Sequence, residues 1–275
     1  MKYAIQIGYN DIFETALKNA RNAGFEYVAI GFGSSDCFFH DTWENDVKRV
    51  DKLLKKYSLE CIQTHMPFYD LLLSAEITDE ATDTALLRSI EAGGMLGADW
   101  NVYHPRSAIN DNYSPRKSME YAKKAVESLA EKAAVCKSGL AIENIPVFPD
   151  VSKMRFFTSD YEDLCELSDY FNSKYVAVCW DFGHANLLGN DQEKAITCVG
   201  NRIKCTHIHS NDGSYDQHFL PSQGNVEWEK IMPALKKTGY NGALTLEIKY
   251  KDKPYLESYF RHALDCLKYM DELMK

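Results

Sequence analysis

The chain has 275 residues, of which 45% are hydrophobic and 12% aromatic, a composition typical of a globular protein with a large core. Its formal net charge of −9 disfavours general binding to nucleic-acid phosphates, and no dense run of Lys or Arg offsets this charge. No segment reaches the roughly 18 apolar residues that would span a bilayer, and residues 1–8 indicate a strand and not a signal peptide.

Strand and helix patterns alternate along the chain. Short runs rich in Ile, Val, Ala, Tyr and Leu predict buried parallel strands at about 2–8, 25–31, 59–64, 99–104, 139–143, 175–180, 202–208 and 242–248. Helical patterns follow them at 11–23, 43–57, 79–97, 115–137, 159–171, 186–199, 226–238 and 255–274. Gly24 and Gly239 are expected C-terminal caps, and Ser114-Pro115 is expected to begin a helix.

This alternation predicts the fold class. Strands that alternate with helices indicate βαβ units and a parallel sheet, and eight such units favour closure into a barrel. A doubly wound open sheet is the alternative. No linker, low-complexity tract or block of charge marks a domain boundary, so we expect one (β/α)8 TIM-barrel domain over 1–275.

Residue types that bind metals or move protons lie at or just after seven of these segments. Only a fold that brings successive strand ends together could use them jointly, as the carboxyl-terminal rim of a barrel does. They are His65, His104, Glu143, Asp181 with His184, His207 with His209, Asp216 with His218, and Glu247.

Two glutamates end apolar strands, Glu143 after Leu140-Ala141-Ile142 and Glu247 after Leu244-Thr245-Leu246. An unpaired carboxylate is costly to bury, so each needs either a metal or a basic residue at the barrel mouth.

An Asp-x-x-His step is formed by Asp181 and His184, where Gly183 would permit a sharp turn that aims both side chains into one site. The alternative is that Asp181 only caps the next helix.

The histidines differ in their expected depth. His207 and His209 are two residues apart on a strand and therefore face the same side. His209 lies nearer the rim and is the better candidate ligand, whereas His207 is expected to be a hydrogen-bonded residue behind the site. His65 and His104 each begin a proline-containing loop, in matching positions on neighbouring strands, and are either ligands or ordinary polar residues.

Mixed imidazole and carboxylate ligands favour Zn²⁺ or Mn²⁺ over Ca²⁺ and, less decisively, over Mg²⁺. The glycine-rich motifs of nucleotide cofactors and the G-x-S-x-G of serine hydrolases are both missing from the sequence. The eight cysteines form no C-x-x-C pair, and Cys61, Cys179 and Cys205 lie in apolar stretches. Buried reduced thiols of this kind are typical of a cytoplasmic protein.

Ordered motifs over essentially the full chain resemble the xylose-isomerase-like barrel superfamily. Within it, the chain is most similar to the sugar phosphate isomerase/epimerase group. The motifs are Val178-Cys179-Trp180-Asp181-Phe182-Gly183-His184-Ala185, Thr206-His207-Ile208-His209-Ser210-Asn211-Asp212-Gly213, Asp216-Gln217-His218, Gly224-Asn225-Val226-Glu227-Trp228 and Leu246-Glu247.

The resemblance implies a metal site and a catalytic pair. A divalent ion would be held by Glu143, Asp181, His209 and Glu247. In related keto-sugar epimerases the two glutamates also remove and return a proton, while the metal polarises the carbonyl and stabilises the enediolate. Glu143 and Glu247 are therefore the expected catalytic residues, and the expected substrate contacts are His184, His65 and His104.

One family position departs from the epimerase pattern. Those epimerases carry an Arg a few residues beyond the His209 position, where this chain has Ser214, Tyr215 and Asp216. This argues against tagatose- or psicose-type epimerase activity.

The same superfamily contains endonuclease IV, an abasic-site repair enzyme with three zinc ions. Its nine ligand positions are all filled here by the right residue type, at His65, His104, Glu143, Asp181, His184, His209, Asp216, His218 and Glu247. Its Gly-Glu-Gly reads Ser222-Gln223-Gly224, its Asp-Thr-Cys-His step reads Asp181-Phe182-Gly183-His184, and the acidic chain has no basic stripe for a duplex.

We therefore expect a cytoplasmic, metal-dependent isomerase or epimerase of a small sugar or sugar derivative, with one to three Zn or Mn ions. The alternatives are an endonuclease-IV-like phosphoesterase and a non-catalytic sugar- or metal-binding barrel. Nucleic-acid and membrane partners are not expected, and a homo-oligomer stays open. Loops 32–42, 66–78 and 210–223 would set specificity. Six aromatic residues either line the site or pack the loops: Phe32, Phe38, Phe39, Trp43, Phe68 and Tyr69.

Overall fold

A computed structural model of the chain describes residues 1–69, 79–108, 114–146, 156–189, 191–251 and 254–275. Loop 66–78 therefore lies partly outside the described residues. One parallel sheet contains β1 (Tyr3–Gly8), β2 (Tyr27–Gly31), β3 (Glu60–His65), β4 (Trp100–Tyr103), β5 (Gly139–Glu143), β6 (Val176–Asp181), β7 (Ile203–His207) and β8 (Leu244–Leu246).

The sheet closes on itself. Its hydrogen-bonded order is β7-β6-β5-β4-β3-β2-β1-β8, which places the last two strands at its ends. Ile208, just after β7, forms a parallel bridge with Leu246: its N–H donates to the Thr245 carbonyl at 2.8 Å, and its own carbonyl accepts from the Glu247 N–H at 3.0 Å. The predicted (β/α)8 barrel is confirmed.

Helices surround the strands. The described α-helices are α1 (Phe13–Ala23), α2 (Trp43–Tyr57), α3 (Glu80–Leu96), α4 (Pro115–Cys136), α5 (Tyr161–Phe171), α6 (Phe182–Leu187), α7 (Gln192–Val199), α8 (Trp228–Lys237) and α9 (Leu256–Leu273), with short 3-10 helices at Cys37–Phe39 and Gly200–Arg202. No helix in the described ranges combines the length and the apolar character needed to cross a membrane.

Most local signals in the sequence have the structure that they predicted. Gly24 and Gly239 have φ values of 110° and 81°, in the left-handed region where glycine is favoured after a helix. The Ser114 hydroxyl oxygen accepts from the N–H of Lys117 at 3.3 Å and caps α4, which begins at Pro115.

The helix expected at 186–199 was wrong in its extent, because two helices occupy this region. α6 begins at Phe182, directly after β6, and Gly189 follows it with φ 63°. Asp191 then caps α7, its carboxylate accepting from the Lys194 N–H at 3.1 Å. A residue with a left-handed backbone conformation cannot continue a right-handed α-helix, so one helix ends before Gly189 and a second begins after it.

Successive side chains along each strand point alternately toward the surrounding helices and toward the interior of the barrel. Large apolar side chains such as Leu140, Ile142, Val178 and Trp180 pack between strands and helices. Small ones, Val102, Ala141, Cys179 and Cys205, form a separate cluster. Because strand side chains alternate, the polar residues two positions after this second cluster lie on the same interior side, at the carboxyl end of the barrel. They are His104, Glu143, Asp181 and His207.

Candidate active site at the carboxyl end of the barrel

A cavity of about 280 Å³ lies at the carboxyl ends of the strands. Of the predicted site residues it is lined by His65, His104, Glu143, His184, Asp216, His218 and Glu247, together with Phe68, Tyr69, Ile145 and Pro146. Asp181 and His209 are fully buried and contact the lining residues. All nine predicted candidates therefore lie in one region.

Three histidines have their ring orientation set by backbone carbonyls. The Nδ1 atoms of His65, His184 and His218 each lie 2.8 Å from a carbonyl oxygen, those of Met66, Asn144 and Glu247 respectively. A proton on Nδ1 satisfies each contact and leaves a lone pair on Nε2. Metal-binding histidines are typically held in this way.

One group of candidate ligands surrounds Glu143. The Nε2 atom of His104 lies 2.7 Å from Glu143 Oε2, and that of His65 lies 3.5 Å from the same oxygen. The two Nε2 atoms are 3.2 Å apart. Three potential ligand atoms thus converge with no described Lys or Arg paired to the carboxylate.

A second group surrounds Asp216. Its Oδ2 lies 2.9 Å from His218 Nε2 and 3.6 Å from His184 Nε2, and its Oδ1 lies 3.8 Å from His209 Nε2. The imidazole rings of His209 and His218 stack with their centroids 4.0 Å apart. Asp216 Oδ1 and His209 Nδ1 are buried and have no hydrogen-bond partner among the described residues.

Asp181 lies beside the second group, and its two carboxylate oxygens make different contacts. Its Oδ1 accepts from the His184 N–H at 2.6 Å and caps α6, while its Oδ2 lies 3.1 Å from His209 Nε2. The helix cap and the contact with the predicted ligand therefore occur together, through different oxygens.

The four-ligand set implied by the resemblance is only partly assembled as a single group. Candidate atoms of Glu143, Asp181 and Glu247 lie within 4.8 Å of one another, and the histidine that joins them within this limit is His207. His209 belongs instead to the group with His184, Asp216 and His218, and it reaches Asp181 directly. The assignment of His209 as the histidine ligand stays a prediction.

These donor sets fit divalent metal ions. Several groups of three or four His, Asp and Glu side chains each place one ligand atom within 4.8 Å of the others. Imidazole nitrogen with carboxylate oxygen suits Zn²⁺ and Mn²⁺. An ion beside the buried Asp216 Oδ1 would also satisfy an oxygen that has no other described partner.

Charge shifts the pKa values of the two glutamates and His207. Burial alone would raise the pKa of a carboxyl, yet His207 and His104 hold the pKa of Glu143 well below its ordinary value, and His207 and His218 lower the pKa of Glu247. Burial likewise opposes a charged imidazole, but Glu247 and Glu143 raise the pKa of His207 well above its usual value. Both carboxylates are therefore ionised at neutral pH.

The pKa values around Asp216 follow the same balance. Burial opposes the charged forms of His184 and His218, but Asp181 and Asp216 raise the pKa of His184, and Asp216 with Glu247 raises that of His218 to about 9. His104 is different, since burial lowers its pKa despite the nearby Glu143. A cation bound here would replace protons on the histidines.

Three amide residues support the site, and sequence reasoning missed all of them. Gln6 Nε2 donates to Glu247 Oε1 at 2.6 Å, and Gln63 Nε2 lies 2.8 Å from His207 Nε2. Asn144 exchanges two hydrogen bonds with the backbone of Asp181, at 2.7 and 2.8 Å. The sequence did carry a signal for them. Gln6 and Gln63 are polar residues within predicted strands, and Asn144 directly follows the strand-end Glu143.

Gly183 has a role that differs from the predicted sharp turn. It lies within α6, and a Cβ atom placed on it would be 1.9 Å from His209 Cε1. Gly183 therefore provides the space that the His209 ring occupies. His218, in contrast, has φ 51°, a conformation rare for a non-glycine residue and held here by contacts with Glu247 and Lys249.

Of the six aromatic residues, three pack in the core, two line the cavity, and Phe39 is exposed and lies outside the cavity lining. Phe32 and Phe38 are fully buried, with ring centroids 4.9 Å apart, and Trp43 packs against Phe38. Phe68 and Tyr69 line the cavity. The ring of Phe68 is stacked on His104, with centroids 5.6 Å apart and an interplanar angle of 25°.

Two proteins similar to this chain in sequence cover most of its length. An uncharacterised protein of Methanocaldococcus jannaschii is 26% identical over 230 residues, which cover 78% of this chain and 74% of that protein. The fructoselysine 3-epimerase of Shigella flexneri is 21% identical over 269 residues, 92% of this chain and 91% of the enzyme.

A solved structure has the same fold over its full length. A D-tagatose 3-epimerase-like protein superimposes with a TM-score of 0.75 at 21% identity, covering 100% of both chains. The family described as "Xylose isomerase-like TIM barrel" matches residues 17–270. With its closed parallel barrel and this match over most of its length, the chain belongs to the xylose isomerase-like TIM barrel family.

Proposed function

We propose that this protein is a metal-dependent isomerase or epimerase of a small sugar or sugar derivative. The observation that carries the proposal is the pair of buried carboxylates on the cavity wall, Glu143 and Glu247, which contact histidines and an amide and no described Lys or Arg. The similarity to a fructoselysine 3-epimerase and to a D-tagatose 3-epimerase-like structure supports a sugar as the substrate class. The cavity volume suits a small ligand.

The two glutamates would move the proton. One carboxylate takes a proton from the carbon next to the substrate carbonyl, and the other returns a proton to that carbon from its opposite face or to its neighbour. Both carboxyls have pKa values below the usual range, so each is ionised in the free protein and able to accept a proton, and the one that returns a proton would first take it up from solvent. His184, His65 and His104 line the same cavity and would orient the substrate hydroxyls.

A single metal ion would be held by Glu143, Asp181, His209 and Glu247. If two or three ions bind, His65, His104, His184, Asp216 and His218 would hold the further ions, and the histidines among them would then not be free to contact substrate. When bound, a divalent Zn or Mn ion acts as a Lewis acid that polarises the substrate carbonyl. The chain's own contribution is to present buried carboxylates and histidines with lone pairs directed inward.

Replacing Glu247 tests this function. We expect Glu247→Gln to lower turnover by about 10²–10⁴-fold, because an amide cannot take up the proton while its volume stays similar. The measurement is deuterium uptake from D₂O next to the carbonyl of a panel of ketoses, followed by NMR with Mn or Zn supplied. Circular dichroism and thermal unfolding control for folding. Turnover at the wild-type rate in a folded variant would refute the role of Glu247.

A second candidate is an endonuclease-IV-like phosphoesterase. It is favoured by the number of ligand groups, since two groups without a common residue surround Glu143 and Asp216. Cleavage of a duplex oligonucleotide with an abasic site, lost on chelation, would support this activity over the isomerase. Deuterium uptake into any ketose would exclude the third candidate, a non-catalytic binding barrel.

A further inference from the structure

We propose that His207 is a positioning residue that joins the two glutamates through one ring nitrogen, with its ring orientation set by Gln63. The inference deepens the proposed function and rests on it for the roles of Glu143 and Glu247. His207 lies inside the barrel, one layer below the cavity.

His207 contacts both glutamates with the same atom. It ends β7, its side chain is fully buried, and it does not line the cavity. Its Nδ1 lies 2.9 Å from Glu143 Oε1 and 3.1 Å from Glu247 Oε2. Glu143 ends β5 and Glu247 follows β8, strands that are not neighbours in the sheet, and the His207 side chain joins them through the interior of the barrel.

A buried amide on the other side sets the direction of the ring. Gln63 Nε2 lies 2.8 Å from His207 Nε2, and Gln63 Oε1 accepts from the Thr245 hydroxyl at 3.4 Å. With its oxygen turned to Thr245, the Gln63 amide donates to Nε2 of a neutral His207 ring, which is the form expected once a bound cation balances the charges of Glu143 and Glu247. The ring proton is then on Nδ1, where it points to the two carboxylates.

Three other histidines carry the proton on the same nitrogen but turn the opposite side of the ring, the Nε2 side, to the cavity. His65, His184 and His218 donate from Nδ1 to a carbonyl and keep the lone pair of Nε2 for the cavity. A metal ligand must offer a lone pair, and His207 offers an N–H to the same carboxylates that would bind the metal. Its position within 4.8 Å of three other potential ligands therefore reflects hydrogen bonding and not coordination.

The consequence for catalysis is orientation. A carboxylate can rotate about its side-chain bonds, and a displacement of about 1 Å at a reacting group can lower the rate by about 10²-fold. One shared donor removes this freedom from both glutamates together. Gln6 holds the second oxygen of Glu247 at 2.6 Å, and His104 holds that of Glu143 at 2.7 Å.

Substitution of His207 by Asn or by Gln tests the roles of its two ring nitrogens separately. The amide nitrogen of Asn can occupy the place of Nδ1, whereas the longer Gln side chain places its amide near Nε2. We expect His207→Asn to stay within about tenfold of the wild-type kcat and His207→Gln to lose about 10²-fold in kcat with little change in KM. Metal content, measured by elemental mass spectrometry, should stay at the wild-type value in both.

Two further measurements do not depend on folding of the His207 variants. Gln63→Leu removes the donor that orients the ring, and we expect it to lower kcat by about tenfold with unchanged metal content. ¹⁵N NMR of the wild-type Zn-loaded protein, selectively labelled at histidine, should show a neutral His207 ring with its proton on Nδ1 and not on Nε2.

The outcomes have distinct meanings. Loss of metal in His207→Gln, or a deprotonated Nδ1 in the NMR spectrum, would show that His207 is a ligand and would overturn the inference. Equal kcat values for His207→Gln and wild type would also overturn it. If the wild type exchanges no ketose proton, the proposed function fails, while the NMR spectrum and the metal content still test His207.

Discussion

At the scale of single residues, the absence of a side chain at Gly183 makes room for His209. A Cβ there would approach the imidazole to 1.9 Å, and His209 is buried and in contact with Asp181. We expect Gly183→Ala to displace the ring and weaken metal binding by about 10–100-fold, measured by calorimetric titration of metal-free protein.

The matched control for this substitution is Gly97→Ala. Gly97 has φ 76° with open space around its Cα, so alanine there should destabilise the fold through backbone strain but leave metal affinity unchanged. Equal metal affinities for Gly183→Ala and wild type would contradict the role given to Gly183.

At the scale of elements, the loop after β3 presents an aromatic ring to the cavity. Phe68 is 49% exposed, its N–H donates to the Gly33 carbonyl at 2.6 Å, and a Cβ on Gly33 would lie 2.4 Å from its ring. We expect Gly33→Ala and Phe68→Ala each to raise KM for the active ketose several-fold with a smaller effect on kcat, since both remove apolar contact with substrate.

Phe39→Ala is the control for this loop, because Phe39 is also exposed but does not line the cavity. Steady-state kinetics of the variants decide the matter. A KM that rises as much in Phe39→Ala as in Phe68→Ala would show that loop packing, and not substrate contact, explains the effect.

A hydrogen bond between side chains joins the first strand, β1, to the last helix, α9. The Tyr3 hydroxyl donates to Asp271 Oδ2 at 2.7 Å, which raises the pKa of Tyr3 to about 12. Burial opposes ionisation of Asp271, but Tyr3, the N-terminal ammonium group and Lys275 together outweigh it and lower the pKa of this carboxyl. We expect Tyr3→Phe to lower the free energy of unfolding by roughly 1 kcal/mol at pH 7.

The pH dependence of this contact has a defined sign. A carboxyl with a lowered folded-state pKa stabilises the protein above its unfolded pKa, about 3.9, and this contribution is lost as pH falls through the folded value. The difference between wild type and Tyr3→Phe should therefore shrink at about pH 3, as urea unfolding at the two pH values would show. A constant difference would argue against the ionised Asp271 as the acceptor.

At the scale of the whole molecule, buried carboxylates and histidines couple metal binding to stability. An ion that binds only the folded state stabilises it by about 2.7 kcal/mol at a concentration one hundred times its Kd. We expect chelation to abolish turnover and lower the Tm, and Zn or Mn to restore both. Elemental analysis should find between one and three equivalents. Full activity in metal-free protein would refute the metal dependence.

The order of strands and helices, the parallel barrel and the types of site residue were determined by the sequence itself. Side-chain periodicity is local, and each strand end carries its polar residue within a few positions of an apolar run, as at Glu143 and Glu247. The greater depth expected of His207 agrees with its buried position below the cavity. Family motifs added the candidate ligand set, which neither spacing nor composition could have supplied.

Only the tertiary structure decided how these residues meet. The contact between Gln6 and Glu247 joins positions 241 residues apart, and that between Gln63 and His207 joins positions 144 apart. The space that Gly183 leaves for His209 and the directions of the histidine N–H groups also depend on neighbours from other strands. Barrel closure creates these contacts, and no local pattern in the chain encodes which distant side chain each residue will face.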